Sequence, residues 1–235
     1  MKLTLSGLTL AYPGQPPVLN GIDLQIESGE TVALMGANGS GKTSLLLALV
    51  GILPASGTIH LDNTALSKKT ATFFRQHIGM VFQNPDDQLF SPSIWEDVAF
   101  GLENMSLPED EIRDRVDTLL HELGLAHLKD RTPHDLSGGE KKIAALATVL
   151  VMKPDLIMLD EPTAFLDMRA RKRRENALRD IPQAMLITTH DARFAARMCR
   201  RAVLLDSGKV AADGETETLL RDKALTERCG VDALE

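Results

Sequence analysis

Short apolar runs recur along the chain, and each ends in polar or glycine-rich sequence. Runs of this kind occupy positions 31–35, 80–82, 156–159, 184–187 and 202–205. Short uninterrupted apolar runs are typical of strands buried on both faces, as in a parallel sheet. Residues 1–35 differ, since turn dipeptides at Pro13-Gly14, Pro16-Pro17 and Ser28-Gly29 separate short strand-like segments. That punctuation predicts an antiparallel start to the fold.

A helical pattern replaces the strand pattern from about residue 85 to residue 151. Between Glu109 and Leu123 the apolar residues follow helical spacing, at positions 112, 116, 119, 120 and 123. We therefore predict one domain spanning 1–235, with a core of about 1–84 and 151–235 and a helical lobe of about 85–150. Hairpins are predicted around Gly57 and around Ser207-Gly208, with a last small helix at 215–221.

Composition narrows the classes of protein that fit. The chain has 235 residues, with 26 Lys plus Arg against 33 Asp plus Glu, a formal net charge of -7. This balance disfavours a nucleic-acid partner. The start of the chain lacks an apolar signal core, and the longest apolar stretches, 45–53 and 143–152, are far shorter than the roughly 20 residues that span a bilayer. We expect a soluble, cytoplasmic polypeptide, for which any membrane role would have to come through partners.

A phosphate-binding pattern follows the apolar run at 31–35. The sequence Gly36-Ala37-Asn38-Gly39-Ser40-Gly41-Lys42-Thr43, followed by Ser44, fits G-x-x-x-x-G-K-[ST] between a strand and a helix. Its glycines leave backbone N–H groups free to surround phosphates, and the helix N-terminus adds partial positive charge. Lys42 is expected to reach the outer phosphates and the Thr43 hydroxyl to bind a divalent ion.

A second anion-binding candidate lies about a hundred residues further on. Ser137-Gly138-Gly139-Glu140 has the S-x-x-E spacing of a capping box, in which hydroxyl and carboxylate satisfy each other's backbone N–H groups. Gly138 and Gly139 carry no side chains where a phosphate would approach. The alternative is a helix cap with no ligand.

Two adjacent carboxylates end the apolar run at 156–159. Asp160 and Glu161 follow that run, and the C-terminal ends of parallel strands are where open α/β sheets bind ligands. Because neighbouring strand residues point to opposite sides, we expect different roles. If the phosphate-binding pattern serves phosphoryl transfer, that reaction needs a magnesium ligand and a group that acts on the attacking water, and we assign Asp160 to the first role and Glu161 to the second. The alternative is a strand-end turn before Pro162.

Taken together, the phosphate loop, Leu136–Glu140 and Leu156–Pro162 resemble the ATPase subunit of ATP-binding-cassette (ABC) transporters, over nearly the whole chain. The resemblance implies an α/β P-loop NTPase fold of the ABC type. Its parts are a RecA-like core sheet, an N-terminal antiparallel β subdomain and an inserted helical subdomain. It also implies ATP hydrolysis with Mg2+, with ATP held between the phosphate loop of one subunit and Ser137, Gly138 and Gly139 of another.

The same resemblance assigns four single residues. Tyr12 occupies the position that stacks on adenine, and Gln83 the position that contacts magnesium and senses the membrane partner. His190 matches the histidine that bonds the third phosphate and, with Lys42 and Glu161, completes the expected catalytic set. Asp167 matches the loop that crosses to the opposite subunit. Three of them have an alternative: a loop glutamine for Gln83, a structural histidine for His190, and an N-cap for the next helix for Asp167, which is compatible with the first assignment.

Within that family, Val81–Phe90 most resembles the energy-coupling-factor importers. There the residues matching Gln88, Leu89 and Phe90 begin a groove for a coupling helix of a transmembrane scaffold, although Leu89 could equally belong to the core. A short single-cassette chain resembles the cobalt and nickel importers, which implies a homodimer on the cytoplasmic side of the membrane with a scaffold and a substrate-binding membrane component. An energy-coupling-factor vitamin importer, or another ABC transporter, is the alternative.

Two positions depart from the family pattern. Ile143 stands where the family usually has an arginine, and Phe165 where it usually has a small residue. We expect low basal turnover without the membrane partners.

Overall fold

The structure is a computed structural model that describes residues 1–164, 175 and 178–234. It divides into two compact units. The first contains residues 1–78, 155–161 and 182–235, and the second contains 79–154 and 162–181. Asp167 and Phe165 lie outside the described residues, so their assignments stay expectations.

The described chain begins with three consecutive strands and continues with strands and helices in mixed order. The strands are β1 (Lys2–Ala11), β2 (Pro17–Glu27), β3 (Thr31–Gly36), β4 (Ser56–Leu61), β5 (Thr64–Ala65), β6 (Ile78–Val81), β7 (Leu156–Asp160), β8 (Ala184–Thr188), β9 (Arg201–Asp206) and β10 (Lys209–Glu215). The described helices are α1 (Lys42–Leu49), α2 (Ala71–His77), α3 (Ile94–Asn104), α4 (Glu109–Glu122), α5 (Gly138–Leu150), α6 (Ala192–Met198), α7 (Thr216–Arg221) and α8 (Lys223–Cys229).

An antiparallel sheet opens the first unit, in the order β2-β1-β4-β5. Leu3 pairs with Ile26 and Leu5 with Leu24, so the alternating apolar side chains of both strands line one buried face. The antiparallel start was predicted, but β1 and β2 are longer than the short strands that we expected. They extend over 10 and 11 residues because register shifts in β1 absorb its irregularities without ending the strand.

Five strands of the first unit form the central sheet in the order β10-β9-β3-β8-β7. Strand β3 runs parallel to both β8 and β9, and β7 runs parallel to β8. Every residue of β7 and β8 is buried, as the uninterrupted apolar runs predicted. The carboxyl ends of β3, β7 and β8 meet at one edge of this sheet, which brings Gly36, Asp160 and Thr188 to neighbouring positions.

The second unit is built mainly of helices. Ile112, Val116 and Leu120 form the buried stripe of α4, which confirms the helical spacing. Within this unit α3 packs against α4 and α5, and the indole N–H of Trp95 donates to Asp117 at 3.1 Å. In the described ranges of the chain, no helix is both long and apolar enough to cross a membrane.

Two local predictions were wrong. Gly57 does not form a hairpin turn but lies inside β4, where a Cβ atom would come within 2.6 Å of the Gly7 carbonyl oxygen. The glycine therefore serves a close approach of two strands. The last helix is not 215–221, because α8 follows it, starting at the Asp222 side-chain cap and ending at the left-handed Gly230. Asp222 and Gly230 are residue types that commonly mark the start and the end of a helix, so the sequence did contain signals for this helix.

Candidate nucleotide-binding site

The phosphate loop connects β3 to α1, as the sequence predicted. At two of its glycines there is no room for a side chain. A Cβ atom at Gly36 would lie 2.5 Å from the carbonyl oxygen of Leu205, and a Cβ atom at Gly41 would lie 2.8 Å from the carbonyl oxygen of Val18. Gly41 also has a φ of 102° and begins α1 without a side-chain cap. The N-terminus of α1 therefore faces the loop uncapped, which favours an anion there.

Lys42 is buried beneath the loop. Its ammonium donates to the carbonyl oxygens of Gly36 at 2.8 Å and Ala37 at 3.0 Å. Burial lowers the pKa of Lys42, and the negative charges of Glu161 and Asp160 oppose that shift. Lys42, at the end of the loop, is thus hydrogen-bonded to the first two residues of the loop and lies within electrostatic range of the carboxylates at the sheet edge.

The loop also holds an orphaned donor. The hydroxyl of Ser40 is buried and has no hydrogen-bond partner within the described part of the chain. Gly39 lies opposite open space, because nothing described falls within 4 Å of a Cβ built on it. A ligand rich in acceptor oxygens, such as a phosphate chain, fits this combination of an unpaired hydroxyl, an ammonium and a helix N-terminus.

Asp160 uses both carboxylate oxygens. The Thr43 hydroxyl donates to Oδ2 at 2.8 Å, and the Thr188 hydroxyl donates to Oδ1 at 2.5 Å. A carboxylate next to a threonine hydroxyl is the oxygen donor set that Mg2+ prefers. These two residues therefore fit a magnesium site.

Glu161 stands apart from the strand that precedes it. Its φ is 46°, in the left-handed region, and its backbone N–H is held by the Thr188 carbonyl oxygen at 3.2 Å and hydroxyl at 3.0 Å. Oε1 of Glu161 contacts Nδ1 of His190 at 3.0 Å. We predicted that strand alternation alone would separate the two acids. That reason was wrong, because Glu161 leaves the strand by a backbone turn that Thr188 holds in place.

Tyr12 follows β1 directly, as predicted. Its hydroxyl is 3.0 Å from the Oγ atom of Ser44, at the beginning of α1, and the side chain is partly exposed. The ring is therefore anchored at its polar end beside the phosphate loop, with apolar surface free to stack.

The second unit contains the other anion-binding candidate. Ser137 caps α5 in the predicted capping box: its backbone N–H donates to Glu140 at 2.8 Å, and its hydroxyl accepts from the Glu140 N–H at 3.4 Å. The hydrogen bond from Ser137 also lowers the pKa of Glu140. No described atom lies within 4 Å of a Cβ built at Gly138, so the helix tip is open.

The segment after β6 combines structural and exposed residues. Gln83 is exposed. Gln88 is fully engaged, since Nε2 donates to the Ala145 carbonyl oxygen at 2.9 Å and Oε1 accepts from the Phe82 N–H at 3.1 Å. Leu89 is buried and belongs to the core, which is one of the two interpretations that the sequence allowed. Phe90, in contrast, is 67% exposed. Phe90 is thus the apolar side chain of this segment that a partner can reach.

The first unit therefore brings together Tyr12, the loop with Lys42 and Thr43, and the group Asp160, Glu161 and His190. Gln83, Ser137, Gly138 and the segment with Phe90 lie in the second unit, as does Gly139. Sequence reasoning missed Thr188, which contacts both acids. The signal was available, because a threonine ending a buried apolar run at a sheet edge needs a partner for its hydroxyl.

A glycine loop on an uncapped helix, with a lysine, a threonine and two strand-end acids, defines a P-loop nucleotide-binding protein. The sequence model of the ABC transporter family matches residues 19–164. The chain belongs to this family, as an ATP-binding subunit and an ATPase coupled to transport, and the predicted fold class is confirmed.

Individual relatives support the assignment of the chain to this family. A putative ABC transporter ATP-binding protein of Geobacter sulfurreducens is 45% identical over 93% of this chain and 88% of its own length. An energy-coupling factor transporter ATP-binding protein, EcfA, of Methanothermobacter thermautotrophicus is 42% identical over 97% of this chain and 76% of its own. The solved structure of cbiO1 from Clostridium perfringens, part of the ABC transporter complex cbiONQ, matches with a TM-score of 0.84 and 40% identity, over 96% of this chain and 92% of that one.

Proposed function

We propose that the chain hydrolyses ATP for an importer of the energy-coupling-factor type that carries cobalt or nickel ions. Support comes from the sequence of residues 81–90 and from the relatives named EcfA and cbiO1. The subunit would lie at the cytoplasmic face of the membrane as a homodimer. Its partners would be a transmembrane scaffold and a substrate-binding membrane component, with no nucleic acid. An energy-coupling-factor vitamin importer, or another ABC transporter, is the alternative.

In this proposal the first unit binds ATP. Tyr12 stacks on the adenine, the loop from Gly36 to Ser44 surrounds the phosphates, and Lys42 moves from loop carbonyls to phosphate oxygens. Thr43 and Asp160 would hold Mg2+, with Gln83 added by the family resemblance. When bound, Mg2+ supplies positive charge to the outer phosphates. Thr43 and Asp160 are already 2.8 Å apart, so little rearrangement is needed.

The observation that carries the catalytic assignment is the 3.0 Å contact between Glu161 and His190. A buried carboxylate held beside an imidazole is suited to orienting water and accepting its proton. Because Nδ1 faces Glu161, the Nε2 atom of His190 remains for the third phosphate. Lys42 adds positive charge beside the same carboxylates.

The homodimer would complete the site. Ser137, Gly138 and Gly139 of one copy would cover the third phosphate bound to the other, presenting the open tip of α5 to the charge. Asp167 would contribute to the same interface. In this arrangement residues 1–235 act as one ATP-binding domain. Ile143 and Phe165, which depart from the family pattern, would keep the basal rate of ATP hydrolysis low in the absence of the membrane partners.

The partner surface would centre on an aromatic pair. Phe90 and Phe100 are 67% and 47% exposed, and their rings meet edge to face at 5.2 Å. Gln88 and Leu89 would support this surface from behind, through the hydrogen bonds and burial described above. A helix with an apolar face is the occupant that suits such a surface.

The test of the ATPase site uses Glu161→Gln. This variant keeps the shape of the side chain but removes the base, so ATP with Mg2+ should convert the monomer to a stable dimer in gel filtration with light scattering, while hydrolysis is lost. Lys42→Ala is the control that should not bind ATP and should stay monomeric. If Glu161→Gln remains monomeric at saturating ATP, the homodimer or the role of Glu161 is wrong.

The transported substrate needs a separate experiment. The chain should co-purify with its membrane components, and the reconstituted complex should accumulate radioactive cobalt or nickel in vesicles in an ATP-dependent manner. Vitamin uptake in the same vesicles, without metal uptake, would support the alternative importer.

A further inference from the structure

The end of α8 lies against the phosphate loop. Gly230 ends this helix with a φ of 63°, and a Cβ atom built on it would fall 2.8 Å from the Cβ of Ala37 and 3.4 Å from its Cα. A separation below 3.0 Å is not tolerated by carbon atoms, so only glycine fits at position 230 without displacing a neighbour. This contact joins two segments that are nearly two hundred residues apart in the sequence.

The two sides of the contact are held differently. The helix end is fastened by the Val231 N–H, which donates to Thr226 at 3.0 Å, by the ion pair of Arg228 with Asp206 at 3.7 Å, and by burial of Val231. Ala37 is instead an exposed residue of a loop. An added methyl group at Gly230 would therefore press directly on Ala37.

Ala37 is central to the geometry of the loop. Its carbonyl oxygen accepts the Lys42 ammonium at 3.0 Å and the Ser40 N–H at 3.1 Å. A shift of Ala37 would thus move the lysine and the serine that face the phosphates. A displacement of about 1 Å at such groups is enough to weaken binding severely.

We propose that Gly230 is a positioning residue of the ATP site, which acts by bracing Ala37 so that Lys42 and Ser40 stay aligned for phosphate. The proposal rests on the assignment of the loop Gly36–Thr43 to ATP. It adds a contribution from the last helix of the described chain, which neither the loop pattern nor the strand-end acids include.

The test is a double-mutant cycle between the two contacting residues. Gly230→Ala should raise the Kd for a non-hydrolysable ATP analogue about tenfold, because the new methyl group pushes on Ala37. Ala37→Gly removes the other methyl group. The double variant should therefore bind within about twofold of Ala37→Gly alone.

Gly124 is the matched control. It also ends a helix with a left-handed φ, 71°, and its N–H makes the same type of bond, to His121 at 3.0 Å. None of the described atoms lies within 4 Å of a Cβ built on it. Gly124→Ala thus reproduces the backbone strain without the collision, and should bind the analogue as the unchanged protein does.

Each outcome decides the proposal. Should Gly230→Ala prove poorly folded, Gly230→Asn compared with Gly124→Asn tests the same contact, since asparagine accepts a left-handed conformation more readily. If the Gly230 variants bind no worse than their Gly124 counterparts, or if adding Gly230→Ala to Ala37→Gly weakens binding as much as it does in the unchanged protein, the brace does not exist. Loss of binding in Lys42→Ala, with normal binding in the unchanged protein, separates this question from that of the ATP site itself.

Discussion

The hydroxyl of Thr188 donates to Oδ1 of Asp160 at 2.5 Å. The hydroxyl oxygen of Thr188 also accepts a hydrogen bond from the backbone N–H of Glu161 at 3.0 Å. One buried hydroxyl thus orients the proposed magnesium ligand and holds the strained backbone of the proposed base. This threonine lies on β8, the strand that neighbours β7 in the central sheet, so the pairing of two strands sets the geometry of both acids.

Replacing Thr188 should therefore impair hydrolysis more than binding. Thr188→Val keeps the shape but leaves Asp160 without a donor at Oδ1 and Glu161 with a single backbone partner. We expect kcat to fall about 10- to 100-fold, as for other residues that orient ligands of a metal, with stability reduced by about 1–3 kcal/mol. Steady-state ATPase assays and urea unfolding measure the two effects.

Thr188→Ser is the control, since it retains the hydroxyl. It should keep most of the activity. Equal losses in the serine and valine variants would show that the methyl group, and not the hydrogen bond, matters at this position.

The sequence predicted the parts of this site that follow local patterns. The phosphate loop, the capping box of Ser137 and the run ending in Asp160 depend on residues close together in the chain, so their spacing carries the information. The contacts of Thr188 with Asp160 and of Gly230 with Ala37 depend on which strands and helices become neighbours. No spacing rule records that, and the left-handed φ of Glu161 follows from the same long-range contacts.

The turn dipeptides near the start and the helical spacing of apolar residues after it likewise predicted an antiparallel start and a helical lobe, but not the ends of the elements. Gly57 looked like a turn because glycine is common in turns. Its actual role, a close approach to Gly7, became visible only once β1 and β4 were paired.

Tyr12 should contribute through its ring more than through its hydroxyl. Tyr12→Ala should weaken ATP binding by about 1–3 kcal/mol, the value of one base stacked on an aromatic side chain. Tyr12→Phe loses only the contact with Ser44 and should cost less than about tenfold in Kd. Because stacking discriminates weakly among bases, GTP should compete with ATP in both the unchanged protein and the phenylalanine variant. A preference for ATP above a hundredfold in competition binding would contradict this.

Ser93 is a control residue that allows the helix-capping role of Ser137 to be separated from its role in ATP binding. Ser137 and Ser93 both begin helices of the second unit, and each hydroxyl accepts from a backbone N–H three residues on, at 3.4 Å and 3.3 Å. Either serine replaced by alanine should cost about 1 kcal/mol of stability. Only Ser137→Ala should also weaken the ATP-dependent dimer of the Glu161→Gln background, as measured by analytical ultracentrifugation. Equal effects of both variants on the dimer would reduce Ser137 to a helix cap.

The thiol of Cys199 should make stability depend on alkaline pH. Burial raises the pKa of Cys199 from 9.0 to about 12. Between these values the unfolded chain loses a proton that the folded chain keeps, so this contribution to stability is fully present below pH 9 and falls as pH rises, by about 1.4 kcal/mol per pH unit. Urea unfolding of the unchanged protein and of Cys199→Ala, from pH 7 to pH 10.5, isolates this group, because every other titrating side chain is common to both. The difference in unfolding free energy between the two proteins should stay constant up to about pH 9 and then shift against the unchanged protein. A difference that is flat over the whole range would mean that the thiol ionises as easily in the folded state as in the unfolded state.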